Sequence, residues 1–540
     1  MLRERLLAFV NRGELDQDKD VVVIGAGDAG ELLIREINRN PFSGMAVRAL
    51  FDDDKSKRRS YIHGVRVSGT VEEAPSYVQE NDIHTVIIAI PSADKTEMKR
   101  IFALLKDLRV SVKTLPALHE LMEGTSKLTQ LRDIQISDLL GREEIHIDTE
   151  QVQNMINGKV VAVTGAGGSI GSELSRQILR RKPSRLLLID SSENSLYHIH
   201  AELTKRAAKD KVVEVVPILC DVRDQERIYH EFEEHRPSLV FHAAAHKHVP
   251  MQELNPVQCF KNNVGGLQTL AVAADKFQVE RFLLISTDKA VNPTSVMGAT
   301  KRACELYCSA FGSISETKFL SVRFGNVLAS QGSVVPLFLD QISKGGPVTV
   351  THPEMRRYFM TIPEAVTLVL QATALGESGQ IMVLEMGEAI KIVDLARQLV
   401  QLVGKGTEDI AIEFVGLRPG EKLFEEISGE NETCLETAHR KIKIYRDNGK
   451  QHIDVIEKIT ELTARAIHTN DQSEIRRMLQ QIVPEYRPYP STDANESDNN
   501  SAELIVKEGQ YGLKSMNQVE IAGNHGTDCS SDVAVCLAKD

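Results

Sequence analysis

Ser286, Thr287, Asp288 and Lys289 stand directly after an apolar run, Phe282-Leu-Leu-Ile285. A short run of that kind, bounded by polar residues, reads as a strand buried in a parallel sheet. In open parallel sheets, ligands bind just beyond the carboxyl ends of the strands. A hydroxyl, a carboxylate and an amine are therefore delivered together to the edge where chemistry is done. Met297 and Lys301 follow on a predicted helix, and their i, i+4 spacing puts them on one face. A thioether has no proton to exchange at neutral pH. The acid and base must then be sought among Thr287, Asp288 and Lys289, with Met297 contributing packing.

Two strand–glycine–helix beginnings must position these groups. Val21–Ile24 runs into Gly25, Gly27 and Gly30. Lys159–Thr164 runs into Gly165, Gly168 and Gly171. A glycine loop between a strand and a helix lets backbone approach a pyrophosphate, and the helix N-terminus, here Ser169 and Ile170, meets the phosphates. Asp190 ends the next strand, where a carboxylate accepts from a ribose diol and repels a 2′-phosphate, which predicts NAD over NADP. Asp221 and Val222 follow the third strand, and the small Ala243 and Ala244 follow the fourth, where a cofactor can lie close to backbone. In the first unit Asp52 could take the ribose role. A nucleotide site and a purely structural or regulatory domain both stay open there.

Alternating strands and helices predict an α/β chain with two Rossmann-like parallel-sheet domains. The boundaries expected are 1–120 for the first, 121–155 for a connector and 156–450 for an NAD-binding catalytic domain. Its small substrate lobe falls mainly in 330–445. Terminal helices are expected over 451–490, and the Ser-, Asn- and Asp-rich stretch 491–540 reads as a disordered tail.

Composition narrows the function classes. A net charge of −12 argues against a nucleic-acid-binding surface. No run reaches the ~18 apolar residues needed to span a bilayer. Leu2, Leu6 and Val10 share a helical face, read as a docked helix in preference to a membrane anchor. The cysteines read as reduced thiols of a cytoplasmic protein, and Cys304 and Cys308 as packing residues. His242, His246 and His248 crowd one segment, but no Asp, Glu or Cys joins them, so no metal is expected. Asn263 is read either as lying behind the cofactor or as ordinary polar helix surface. Arginine forks suit diphosphates, and Arg357 and Arg418 lie in the later lobe. Glu421 could hold a sugar diol or pair with Arg418.

Taken jointly, Thr164-Gly-Ala-Gly-Gly-Ser-Ile-Gly171, His242-Ala-Ala-Ala-His-Lys-His-Val-Pro250, the segment 286–301, Arg323-Phe-Gly-Asn-Val-Leu328 and Gly416-Leu-Arg-Pro-Gly-Glu-Lys-Leu-Phe-Glu-Glu426 resemble a known family. It is the extended short-chain dehydrogenase/reductase group that modifies nucleotide sugars. More narrowly, the chain resembles the large UDP-N-acetylglucosamine 4,6-dehydratases of capsular polysaccharide biosynthesis. Met297 where the short form has Tyr is typical of the large form; the transmembrane helices common ahead of the first domain are not in this sequence.

The resemblance implies an NAD-dependent lyase acting on a UDP-sugar. NAD takes hydride from C4, the resulting ketone acidifies the C5 proton, the C6 hydroxyl leaves as water, and hydride returns to C6. Lys289 is then the base at C5, Asp288 the acid for the leaving oxygen, and Thr287 the partner of the C4 oxygen. Lys301 holds the nicotinamide ribose. Lys247, Asn326, Arg357, Arg418 and Glu421 are the substrate-side residues. As a base Lys289 needs a lowered pKa, which positive neighbours would provide. A homo-oligomer is expected, with membrane contact at most peripheral, at the inner face. A UDP-N-acetylhexosamine 4-epimerase and a non-enzymatic NAD- or UDP-sugar-sensing protein are the competing readings.

Overall fold

The computed structural model describes residues 19–39, 44–93, 95–105, 108, 110–115, 132–133, 149–208, 213–403, 409–429, 432–447 and 453–488. The stretch 2–10, most of the connector and the tail 491–540 lie outside the described residues.

Short runs of Val, Ile and Leu build two sheets. The first contains β1 (Lys19–Ile24), β2 (Met45–Phe51), β3 (Tyr61–Ile62), β4 (Val65–Gly69), β5 (Thr85–Ile88), β6 (Ser111–Thr114) and β7 (Arg132–Asp133). Their order across the sheet is β3-β4-β2-β1-β5-β6-β7, with β1 parallel to both β2 and β5. Val22 and Ile24 serve one core, Val21 and Val23 the other, as the two-residue period of a strand buried on both faces requires.

The second sheet is formed by β8 (Val160–Thr164), β9 (Arg185–Asp190), β10 (Glu214–Leu219), β11 (Leu239–His242), β12 (Arg281–Ile285), β13 (Lys318–Arg323), β14 (Ile381–Leu384), β15 (Glu432–Glu436) and β16 (Ile442–Asp447). Its order is β10-β9-β8-β11-β12-β13-β14-β16-β15. The strands from β10 to β14 are parallel, and β16 runs antiparallel to both neighbours. The chain walks outward from β8 to β10, then returns to β11 on the other side of β8. That reversal opens a crevice at the carboxyl ends of β8 and β11.

Part of the stretch expected to form the substrate lobe joins this sheet, because Ile381–Leu384 is a fully buried apolar strand. The rest forms its own small core around Phe338, Val348, Phe359 and Leu395. The helices Ile453–His468 and Gln472–Ile482 bury Ile459, Leu462, Ile475 and Leu479 in the core that also holds Ala299 and Ala303 of the Lys301 helix.

Beneath the sheet edge lies a buried ionic network. Glu305 is fully buried; it accepts from Ser286 Oγ at 2.6 Å and from Arg323 Nε and Nη2, both at 2.7 Å. Arg323 also donates to both oxygens of Glu432 at 2.7 and 2.8 Å. Removing Glu305 leaves Arg323 to Glu432 alone and takes away the acceptor of Ser286 Oγ; breaking a buried ionic contact of this kind costs about 3–5 kcal/mol. Glu305→Ala is expected to destabilise the chain by that amount in urea unfolding; a change under about 1 kcal/mol would mean that the network is not what orders β12 and β13.

Candidate active site

β12 ends at Ile285, and its ladder continues one step as Ser286 N–H donates to Val322 O at 2.7 Å. Asp288 N–H then donates to Phe324 O at 3.2 Å, and residues 288–290 close a single tight turn. The Lys301 helix, Val296–Phe311, starts at Ser295, whose hydroxyl accepts from Gly298 N–H at 3.1 Å. Glu253 caps the same end, accepting from Val296 N–H at 2.6 Å. A Cβ at Gly298 would overlap Lys289 O, so glycine there lets the helix lie against the 288–290 turn.

The polar groups of the turn form one set. Asp288 Oδ1 accepts from Thr287 Oγ1 at 2.8 Å and from Lys289 Nζ at 2.9 Å. Lys289 Nζ also donates to Asn326 Oδ1 at 3.1 Å. Asp288 Oδ2 is buried without a hydrogen-bond partner. Lys301 Nζ donates to Ile285 O at 3.0 Å, and burial, the largest influence, pulls its pKa below the ordinary lysine range.

These residues edge a cleft of about 750 Å³ at the carboxyl ends of the strands. Its wall includes Gly165, Gly168, Ser169, Ile170, Gly171, Ala243, Lys247, Thr287, Lys289, Met297, Lys301, Asn326, Arg357, Arg418 and Glu421. Asp190, Asp221, Val222, Ala244 and Asp288 are not part of that wall. Asp288 sits behind it because its turn is folded inward, so its carboxyl is reached through Thr287 and Lys289. Asp190 Oδ2 accepts from Gly167 N–H at 2.9 Å and Oδ1 from Ser192 N–H at 2.8 Å, which fixes the carboxylate beside the glycine loop. Asp221 is clamped by Arg223, whose hydrogen bond is the main reason its pKa falls. Val222 packs where a Cβ on Gly266 would be. Gly165 has φ +64°, and a Cβ there would lie 2.8–2.9 Å from the backbone of Ala243 and Ala244. The first-turn amides of the helix Ser169–Arg180 have no intrahelical acceptors and border the cleft.

Besides these placements off the wall, two further expectations change. Lys289 was expected to have a lowered pKa. Burial does push it down, but the carboxylates of Asp288 and Glu425 outweigh burial and the opposing Arg357, and carry it above the ordinary lysine range. Arg357 was expected to present its fork to a diphosphate. It is buried and donates to the carbonyls of Arg356, Lys422 and Leu423 at 2.6–3.1 Å, so it braces the 421–425 loop. Arg418 remains exposed on the wall, and Glu421 Oε2 accepts from its backbone N–H at 3.2 Å. Lys247 donates to Gln331 O at 2.9 Å.

Asn263 is buried and not surface polar. It joins His246 N and O, at 2.8 and 3.1 Å, to Thr300 Oγ1 at 3.0 Å, tying the loop after β11 to the Lys301 helix. His242 is fully buried on Thr164 Oγ1 at 2.8 Å, and burial, helped by Lys301, lowers its pKa to about 3. It is neutral at pH 7, apart from His246 and His248 on the cleft wall. Glu253, Glu305 and Glu425 escaped the sequence reading; nothing in their spacing marks a glutamate as buried.

The sequence is similar to known proteins. Residues 161–447 match the profile of the family described as polysaccharide biosynthesis protein, and residues 1–116 match a CoA-binding domain. The chain is 47% identical over 423 residues to the probable polysaccharide biosynthesis protein EpsC of Bacillus subtilis, covering 78% of this chain and 70% of the relative. It is 45% identical to the capsular polysaccharide biosynthesis protein CapD of Staphylococcus aureus, over 81% of this chain and 73% of that one. It is 31% identical to an inverting UDP-N-acetylglucosamine 4,6-dehydratase of Campylobacter jejuni, over 52% of this chain and 80% of the relative. With its glycine loop, the 287–290 turn and the Lys301 helix inside the matched region, the chain belongs to the polysaccharide biosynthesis protein family.

Proposed function

We propose that the cleft binds NAD and UDP-N-acetylglucosamine and acts as a 4,6-dehydratase, forming the UDP-4-keto-6-deoxy sugar. The observation that carries this reading is the hydrogen-bonded set Thr287–Asp288–Lys289 beside Lys301, with Met297 holding no exchangeable proton. The similarity to a named dehydratase supports it. The residues fit the cofactor: Gly165 clears the space beside Ala243, the amides of Ser169, Ile170 and Gly171 suit a pyrophosphate, and Asp190 suits a ribose diol. When bound, NAD supplies the hydride chemistry at C4 and C6.

The chain's own groups then account for every proton. Thr287 accepts the C4 hydroxyl proton and passes its own to Asp288 along the 2.8 Å hydrogen bond. Neutral Lys289 removes the C5 proton. Asp288 returns its proton through Thr287 to the departing C6 oxygen, which leaves as water. The Lys289 ammonium exchanges its protons with solvent and then gives one to C5, so each group ends as it began. Lys301, whose amine donates to Ile285 O and borders the cleft, holds the nicotinamide ribose in this reading. Arg418 supplies a guanidinium for the diphosphate and Glu421 an acceptor for a ribose diol.

Incubation with UDP-N-acetylglucosamine should give a product lighter by one water. An epimerase would give a product of unchanged mass, and a sensing protein no product; either result contradicts the reading. The nucleotide released on denaturation should be NAD, because Asp190 repels a 2′-phosphate. Recovery of NADP alone would remove Asp190 from the cofactor site.

A further inference from the structure

Glu425 takes no part in the proton transfers of the proposed reaction. Its side chain is only 3% exposed, yet it borders the cleft. One oxygen, Oε1, lies 3.7 Å from Lys289 Nζ and 3.5 Å from Arg357 Nη2. The other, Oε2, is buried without a hydrogen-bond partner. A buried carboxylate so incompletely satisfied is costly to keep. Arg357 is itself fixed by three backbone carbonyls, so Glu425 is held in place from the lobe side. The charged groups facing the Lys289 amine are thus Asp288 from its own turn and Glu425 and Arg357 from the lobe, with neutral Asn326 as the fourth neighbour.

We propose that Glu425 is a positioning residue whose negative charge stabilises the ammonium that Lys289 becomes when it takes the C5 proton. The inference rests on the dehydratase reading above. Asp288 cannot do this alone, because in that reading its own charge is cancelled when the C4 proton reaches it, just before Lys289 must accept one. Glu425 takes no part in those proton transfers, and its near oxygen faces Lys289 and Arg357.

The test is the pH profile of solvent deuterium exchange at C5, measured on the NAD-loaded protein with UDP-N-acetylglucosamine. Exchange needs the neutral amine, so it rises with pH until Lys289 has lost its proton. Removing one nearby negative charge favours the neutral amine. Glu425→Gln should move the rising limb to lower pH by about one unit and lower the plateau. Glu425→Asp, which keeps the charge, should leave the limb in place while slowing exchange. A limb unmoved in Glu425→Gln, or moved equally in Glu425→Asp, overturns the proposal while leaving the dehydratase reading intact. Absence of C5 exchange in the unaltered protein would overturn that reading, and this proposal with it.

Discussion

Lys289→Ala should lower dehydration of UDP-N-acetylglucosamine by ~10²–10⁴-fold, the usual contribution of a general acid–base group. The amine is joined to Asp288 at 2.9 Å and to Asn326 at 3.1 Å, and it borders the cleft, so it is both placed and oriented. In the proposed reaction, hydride removal from C4 does not need it. The variant should therefore still show the absorbance of reduced cofactor when substrate is added, while deuterium from solvent no longer enters C5. The carboxylates that hold the ammonium raise its pKa, so only a small neutral fraction exists at pH 7. Turnover of the unaltered protein should accordingly climb with pH through the alkaline range. Deuterium entering C5 at the unaltered rate in Lys289→Ala would mean that another group is the base.

Gly165→Ala should abolish measurable turnover, a loss of about 10²-fold or more. Its φ of +64° disfavours any side chain, and a Cβ would press on the backbone of Ala243 and Ala244, which cannot move without shifting β11. Gly27→Ala offers the contrast. A Cβ there meets nothing within 4 Å, so the first nucleotide fold should tolerate it and turnover should stay close to the unaltered value. Equal and complete loss from both, with circular dichroism unchanged, would place chemistry in the first domain too.

The central parallel strands β1, β2, β5, β6 and β8 to β13 are legible because each is a short apolar run cut off by a polar residue or glycine; the short β3, β4 and β7 and the edge strands β15 and β16 are not. Phe282–Ile285 was expected, and Arg281–Ile285 is found; Leu239–His242 agrees at both ends. β14 was read as part of a loosened lobe, since Ile381–Leu384 stands far along the chain from the strand it pairs with, and sequence gives no sign of that pairing. Within the site, the glycine loop and the reactive turn were legible because their residue types are adjacent in sequence. Glu425 was not, because it meets Lys289 only after the lobe folds over the sheet edge, more than a hundred residues later. The sign of the Lys289 shift failed for the same reason: the positive neighbours were visible in sequence, and the second carboxylate was not. Asp288 was expected at the cleft, but its turn buries it behind Thr287, a detail of one tight turn that residue types do not encode.

The central claim is that one sugar is oxidised at C4 and reduced at C6 in the same cleft. Its most direct test is UDP-N-acetylglucosamine carrying deuterium at C4, converted by the NAD-loaded protein and followed by NMR of the product. The expected product has lost water, carries the deuterium on C6 and has taken a solvent hydrogen at C5. Deuterium still on C4 of a sugar of unchanged formula would contradict the account and mark the protein as an epimerase.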